Sequence, residues 1–121
     1  MIKGMKFASV PVADQDRALE FYTKKLGFRI ITDAPFSDDQ RWIELGIPNA
    51  QTCVVLFTPD EHKDRIGKSQ NITFWTDDVK GTYADLKAKG VEFQGEPMTM
   101  DWGTFVIFKD SEGNSFVLGT K

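Results

Sequence analysis

Val12-Ala13-Asp14-Gln15-Asp16-Arg17-Ala18-Leu19-Glu20-Phe21-Tyr22-Thr23-Lys24-Lys25-Leu26-Gly27-Phe28 is answered later in the chain by Asp77-Asp78-Val79-Lys80-Gly81-Thr82-Tyr83-Ala84-Asp85-Leu86-Lys87-Ala88-Lys89-Gly90-Val91-Glu92-Phe93. Near the start of each stretch stands an aspartate, whose carboxylate accepts hydrogen bonds from the free amides of a first helical turn. Ala18, Phe21, Tyr22 and Leu26 then share one helical face, as do Val79, Tyr83 and Leu86 in the second stretch. A glycine closes each helix at the position that favours a left-handed backbone. Asp14 maps onto Asp78, and Tyr22 onto Leu86, at an offset of 64, whereas Gly27 maps onto Gly90 at 63. The second helix is therefore one residue shorter. A repeat on this scale means that one supersecondary unit is used twice.

Working outward, β-branched and aromatic runs flank each helix. In the first half they are residues 5–12, 28–32, 41–45 and 52–57. Residues 33–39, with Pro35 and the adjacent Asp38 and Asp39, read as a loop. Gly46, Pro48 and Asn49 supply a turn. In the second half the strands are 71–76, 91–93, 105–108 and 115–118, the last two joined by a strong turn at 110–114. The reading is α+β, with order βαβββ–βαβββ and helices near 14–26 and 78–89. It divides residues 1–121, one domain, into module one at 1–58, a polar linker at 59–69 and module two at 70–121. One half is too small to cover both faces of its sheet. Two halves side by side leave helices outside and a concave inner face.

The totals narrow the function. A chain of 121 residues, 40% of them hydrophobic, can bury a core without disulfide or metal. Its single cysteine, Cys53, precludes an internal disulfide. The net charge of −3 and the lack of a basic stripe argue against nucleic acid and anionic membrane as partners. No apolar run reaches membrane-spanning length and the N-terminus does not read as a secretory signal, so a cytoplasmic location is expected.

Val12-Ala13-Asp14, Arg17 through Tyr22 and Leu26-Gly27-Phe28 together resemble the opening of the glyoxalase / bleomycin-resistance / dioxygenase superfamily, also called vicinal oxygen chelate. Asp77-Asp78-Val79, Leu86 and Gly90 to Phe93 are similar to its second helix. Lys109-Asp110-Ser111-Glu112-Gly113-Asn114 resembles its Asp-Pro-Asp-Gly-Asn turn, with Ser111 and Glu112 as departures. The resemblance implies paired βαβββ modules whose curved, cup-shaped mixed sheet encloses a ligand. It also implies a homodimer, in keeping with ten phenylalanines and three tryptophans, more aromatic surface than one small core hides. Because this fold hosts many chemistries, it does not name one.

Metalloenzymes of that superfamily hold a divalent ion with His or Glu from four strands. The corresponding positions here are Phe7, Leu56, Asn71 and Val117. Three have no lone pair and the fourth offers one amide oxygen, where a divalent ion needs several donors. A shift of one residue brings in no better set. No metal and no cofactor are expected.

Strand alternation sorts the other residues. Ala8, Val10 and Val12 should pack on the helix. Phe7, Ser9 and Pro11 should face the cup, with Val54 and Leu56, with Asn71, Thr73 and Trp75, and with Ser115 and Val117. Arg41 and Trp42, and Trp102 further on, add a cation and stacking faces at the mouth. Each tryptophan alone is more often a core or dimer-interface residue. Pro11 implies an edge strand. His62, in a charged linker, reads as a solvated surface side chain, Cys53 as an inert thiol, and Asp38 and Asp39 as loop carboxylates. An apolar cup with sparse polar groups suits a small-molecule pocket, although the same side chains would also serve as filling. The expected function is metal-independent binding of a small molecule. The alternatives are a lyase, isomerase or dioxygenase of the same superfamily, with atypical metal ligands or none, and a structural dimer with a filled cup.

Overall fold

A computed structural model describes residues 1–61 and 63–121, so the reading of His62 lies outside the described residues. The chain forms two compact modules, Met1–Ile66 and Gly67–Lys121. Each contains one four-stranded mixed sheet and one principal helix. This is the expected α+β class with tandem βαβββ modules.

In the first module the strands are β1 (Phe7–Pro11), β2 (Arg29–Ser37), β3 (Gln40–Gly46) and β4 (Cys53–Phe57), in spatial order β1-β4-β3-β2. Helix α1 spans Gln15–Glu20, and Arg17 N donates to the Asp14 cap at 3.0 Å. The helix continues not as α but as a π-helical turn, Phe21–Lys25, closed by a 3.3 Å bond from Leu26 N to Phe21 O. A π turn accommodates one extra residue before the chain stops, which is the residue by which the two repeats differ. Gly27 then takes φ +77°. Val10, Val12, Ala18, Tyr22, Ile43, Leu45 and Leu56 are fully enclosed on the helix-covered side.

The second module repeats the plan with β5 (Ser69–Thr76), α2 (Val79–Ala88), β6 (Glu92–Met100), β7 (Gly103–Lys109) and β8 (Ser115–Thr120), in spatial order β5-β8-β7-β6. Gly81 N donates to the Asp78 cap at 2.9 Å. The 110–114 turn is a buried polar knot. Asn114, fully enclosed, donates its amide nitrogen to Asp110 Oδ2 at 3.0 Å and accepts from Gly67 N at 2.8 Å. Its composition thus serves the fold.

Two expectations need correction. Residues 33–39 are not a loop, because β2 runs on to Ser37 and only Asp38 and Asp39 turn the chain. Likewise β6 extends through Pro97 to Met100, well beyond residue 93. Pro35 and Pro97 lie on β2 and β6, and Pro11 on β1; all three strands are sheet edges, where a missing N–H breaks no ladder.

Candidate functional site

Register decides what each sheet shows on the side away from its helix. In the first module Phe7 lies opposite Cys53, Ser9 opposite Val55 and Pro11 opposite Phe57. Across the next pair Glu44 lies opposite Val55. Phe7, Ser9, Val55, Phe57, Glu44 and Trp42 therefore share the open face. A cavity of about 360 Å³ sits there, lined by Phe7, Ser9, Phe36, Gln40, Arg41, Trp42, Val55 and Phe57. Trp42 is its centre, with Phe7 edge-on at 5.6 Å and Phe36 tilted against it at 6.1 Å.

Leu56 does not belong to this face. The same register puts it, with Val54, on the helix side, where it is 0% exposed. Placing it in the cup was a one-residue phase error on β4. The true occupants, Val55 and Phe57, are flanking residues of the same chemical kind.

Polar contacts fix the cavity wall. Gln15, at the start of α1, donates to the carbonyls of Arg41 (2.9 Å) and Leu56 (3.1 Å), and accepts from Arg41 N (3.1 Å). Gln40 Oε1 accepts from Thr58 N at 2.7 Å. The Arg41 guanidinium is tied to Asp33, at 3.0 Å through Nε, and to Asp16. The hydrogen bonds it donates to Asp33 and then Asp16 push its pKa up further, so it stays charged and engaged. On the open face the Trp42 indole donates to Glu44 Oε1 at 3.4 Å. Partial desolvation, and then Glu44, push the Cys53 thiol up. That is the setting of an inert thiol rather than a nucleophile.

The second module presents a more polar face. Thr73 pairs with Val117, and Val117 with Ile107. Asn71 sits at a break in the β5–β8 register with φ +56°, as a bulge that re-aims a side chain does. A cavity of about 490 Å³ is lined by Ser69, Asn71, Thr73, Gln94, Ser115 and Val117, among others. Trp75 shares this face but lies outside the cavity, 54% exposed, with Lys121 Nζ 4.5 Å above its ring. Trp102 is also outside it, 65% exposed and stacked on Phe105 at 5.5 Å.

Of the residues singled out from sequence, Phe7, Ser9, Arg41 and Trp42 border the first cavity, and Asn71, Thr73, Ser115 and Val117 the second. Sequence reading missed Phe36, Gln40, Val55, Phe57 and Gln94. Phe36 was hidden because its segment read as a loop. Val55 and Phe57 were hidden by the phase error.

The four positions implied for a divalent ion do not fit one. With the register corrected they offer Phe7, Val55 or Phe57, Asn71 and Val117. Among the described residues, no three His, Cys, Asp or Glu side chains come together as a donor group. Glu44, an acidic group on the first face, is paired with the Trp42 indole and the Cys53 thiol.

Comparison with known proteins agrees with this architecture. The family described as "Glyoxalase/Bleomycin resistance protein/Dioxygenase superfamily" matches residues 4–118. The chain is 42% identical to the uncharacterized protein YetH of Bacillus subtilis, over 98% of both sequences. Among solved structures it is similar to a superfamily member from Sphaerobacter thermophilus, with TM-score 0.90, 32% identity and coverage of 99% of this chain and 98% of the other. It is also similar to TnmS3, an antibiotic binding protein from a Streptomyces species, with TM-score 0.87, 31% identity and coverage of 98% and 96%.

Proposed function

This chain belongs to the glyoxalase/bleomycin resistance protein/dioxygenase superfamily, and on that premise we propose that it is a metal-independent small-molecule-binding protein acting as a homodimer. The observation that carries the reading is the first cavity. Phe7, Phe36, Trp42 and Phe57 line a space of a size suited to a small ligand, with Ser9 and Gln40 as its uncharged polar groups. Such walls favour a flat, largely apolar body, at about 25 cal/mol per Å² buried before association costs. The second module has a cavity of its own, with Asn71, Thr73 and Ser115 as hydrogen-bonding groups. The likeness to TnmS3, described as an antibiotic binding protein, supports binding rather than turnover. So does a first-cavity lining without an acid–base pair: its one ionisable side chain, Arg41, is held in ion pairs.

The test is a thermal-shift screen of flat aromatic compounds, followed by titration of each hit against Trp42→Ala and Asn71→Leu. A ligand at a hundredfold its Kd raises stability by about 2.7 kcal/mol. Hits held in the first cavity are expected to be weakened by the Trp42 change, and hits held in the second cavity by the Asn71 change. If no compound shifts the melting point, or hits are indifferent to Trp42, the face is filling and not a site.

A further inference from the structure

We propose that the first-module cavity takes a ligand bearing a cationic, ammonium-type group on its apolar body. This rests on the binding reading above and narrows its ligand class. Three observations converge on it.

The first is the wall itself. Four aromatic rings, Phe7, Phe36, Trp42 and Phe57, line one cavity. Ring faces carry negative quadrupole density, and clustered rings are the usual means of holding a quaternary or alkylated ammonium. An apolar wall alone would suit a neutral ligand equally well. The charges around it decide between the two.

The second is the state of Arg41, the cation that borders the cavity. Its guanidinium is committed to Asp33 and Asp16. An anionic ligand would have to break these pairs or share a cation that two carboxylates already neutralise. The cluster carries one positive and two negative charges, so its sum is negative and it repels an anion. The cation expected at the mouth, Arg41, is thus closed to an anion by its own partners.

The third is Glu44. It lies on the cavity side of β3, opposite Val55 of the lining, and accepts from the indole of Trp42. A carboxylate on the same face as the rings complements a cation held there. Of the charges that act on Cys53, on this same face, Glu44 acts more strongly than Arg29 or Lys6. On this face the carboxylate beside the Trp42 ring is thus Glu44, while Asp33 and Asp16 offset the charge of Arg41.

The experiment compares benzyltrimethylammonium with neopentylbenzene, its uncharged isostere with carbon in place of nitrogen. Binding is read by calorimetry and by Trp42 fluorescence in a Trp75→Phe/Trp102→Phe background. The cation is expected to bind about tenfold more tightly than the isostere. Glu44→Gln is expected to remove most of that preference while leaving the isostere's affinity unchanged. Asp33→Asn, which releases Arg41, is expected to act in the same direction and gives a second route should Glu44→Gln unfold the protein. Equal or tighter binding of the isostere overturns the cationic class and leaves the binding reading intact. A cation preference that survives both substitutions overturns it too. If neither probe binds at millimolar concentration, this inference and the binding reading fall together.

Discussion

Replacing Leu56 with alanine is expected to cost the fold about 2–5 kcal/mol, because its isobutyl group is fully enclosed on the helix-covered side of the first sheet. Val55→Ala is expected to cost less than Leu56→Ala, since fewer side-chain carbons are lost, but to weaken ligand binding, since Val55 lines the cavity. Urea denaturation and ligand titration of both variants check the pair; equal effects of the two substitutions on binding would contradict the register. Cys53 provides another residue-level test. Its thiol is pushed up first by desolvation and then by Glu44, so less of it is thiolate at pH 8 than in a free thiol, and it is expected to react more slowly with a disulfide reagent. Glu44→Gln removes one of those causes and is expected to speed the reaction. An unchanged rate would place Glu44 away from the sulfur. Residue type made both the apolar wall and the inert thiol legible in the sequence. The phase of β4 was not legible, because Val54, Val55 and Leu56 form an unbroken apolar run with no polar residue to mark which side is out.

At the level of elements, the aspartate caps were the most readable signal, and they do what their position demands. Asp14→Ala and Asp78→Ala are each expected to cost about 1 kcal/mol, by leaving the amides of Arg17 and Gly81 without their acceptor. Chemical denaturation checks this, and a cost near zero at either site would mean that water replaces the cap without loss. The helix stops were equally readable from Gly27 and Gly90, both left-handed. The π turn was visible only as an arithmetic discrepancy, the change of offset between repeats. Strand ends were harder. Pro35 and Pro97 punctuate β2 and β6 without ending them, because both strands are edges whose outward N–H positions are not used in pairing. Edge status is a property of the sheet, and the segment itself carries no mark of it.

For the molecule as a whole, the duplication made two modules legible. It could not say which loops and strand extensions complete each cavity, since Phe36 and Gln94 enter through segments that carry no repeat signal. The edge strands β2 and β6 bring apolar side chains to the surface. Ile30 and Ile31 are about half exposed on β2, as are Met98 and Met100 on β6. Edge strands with exposed apolar groups are templates for association unless something covers or distorts them. Register shifts at Ile30/Thr32 and Pro35/Ser37 distort β2 but leave its isoleucines in water. A second copy of the chain is the cover that best accounts for these groups, and a twofold arrangement needs only one self-complementary patch. Sedimentation equilibrium at micromolar concentration is therefore expected to give a single species of twice the 13.7 kDa chain mass. Lysine at both Ile30 and Met98 places a charge on each apolar edge and is expected to shift that species toward the single-chain mass. A single-chain mass for the unaltered protein would reject the homodimer. A dimer indifferent to the double substitution would move its interface off both edges.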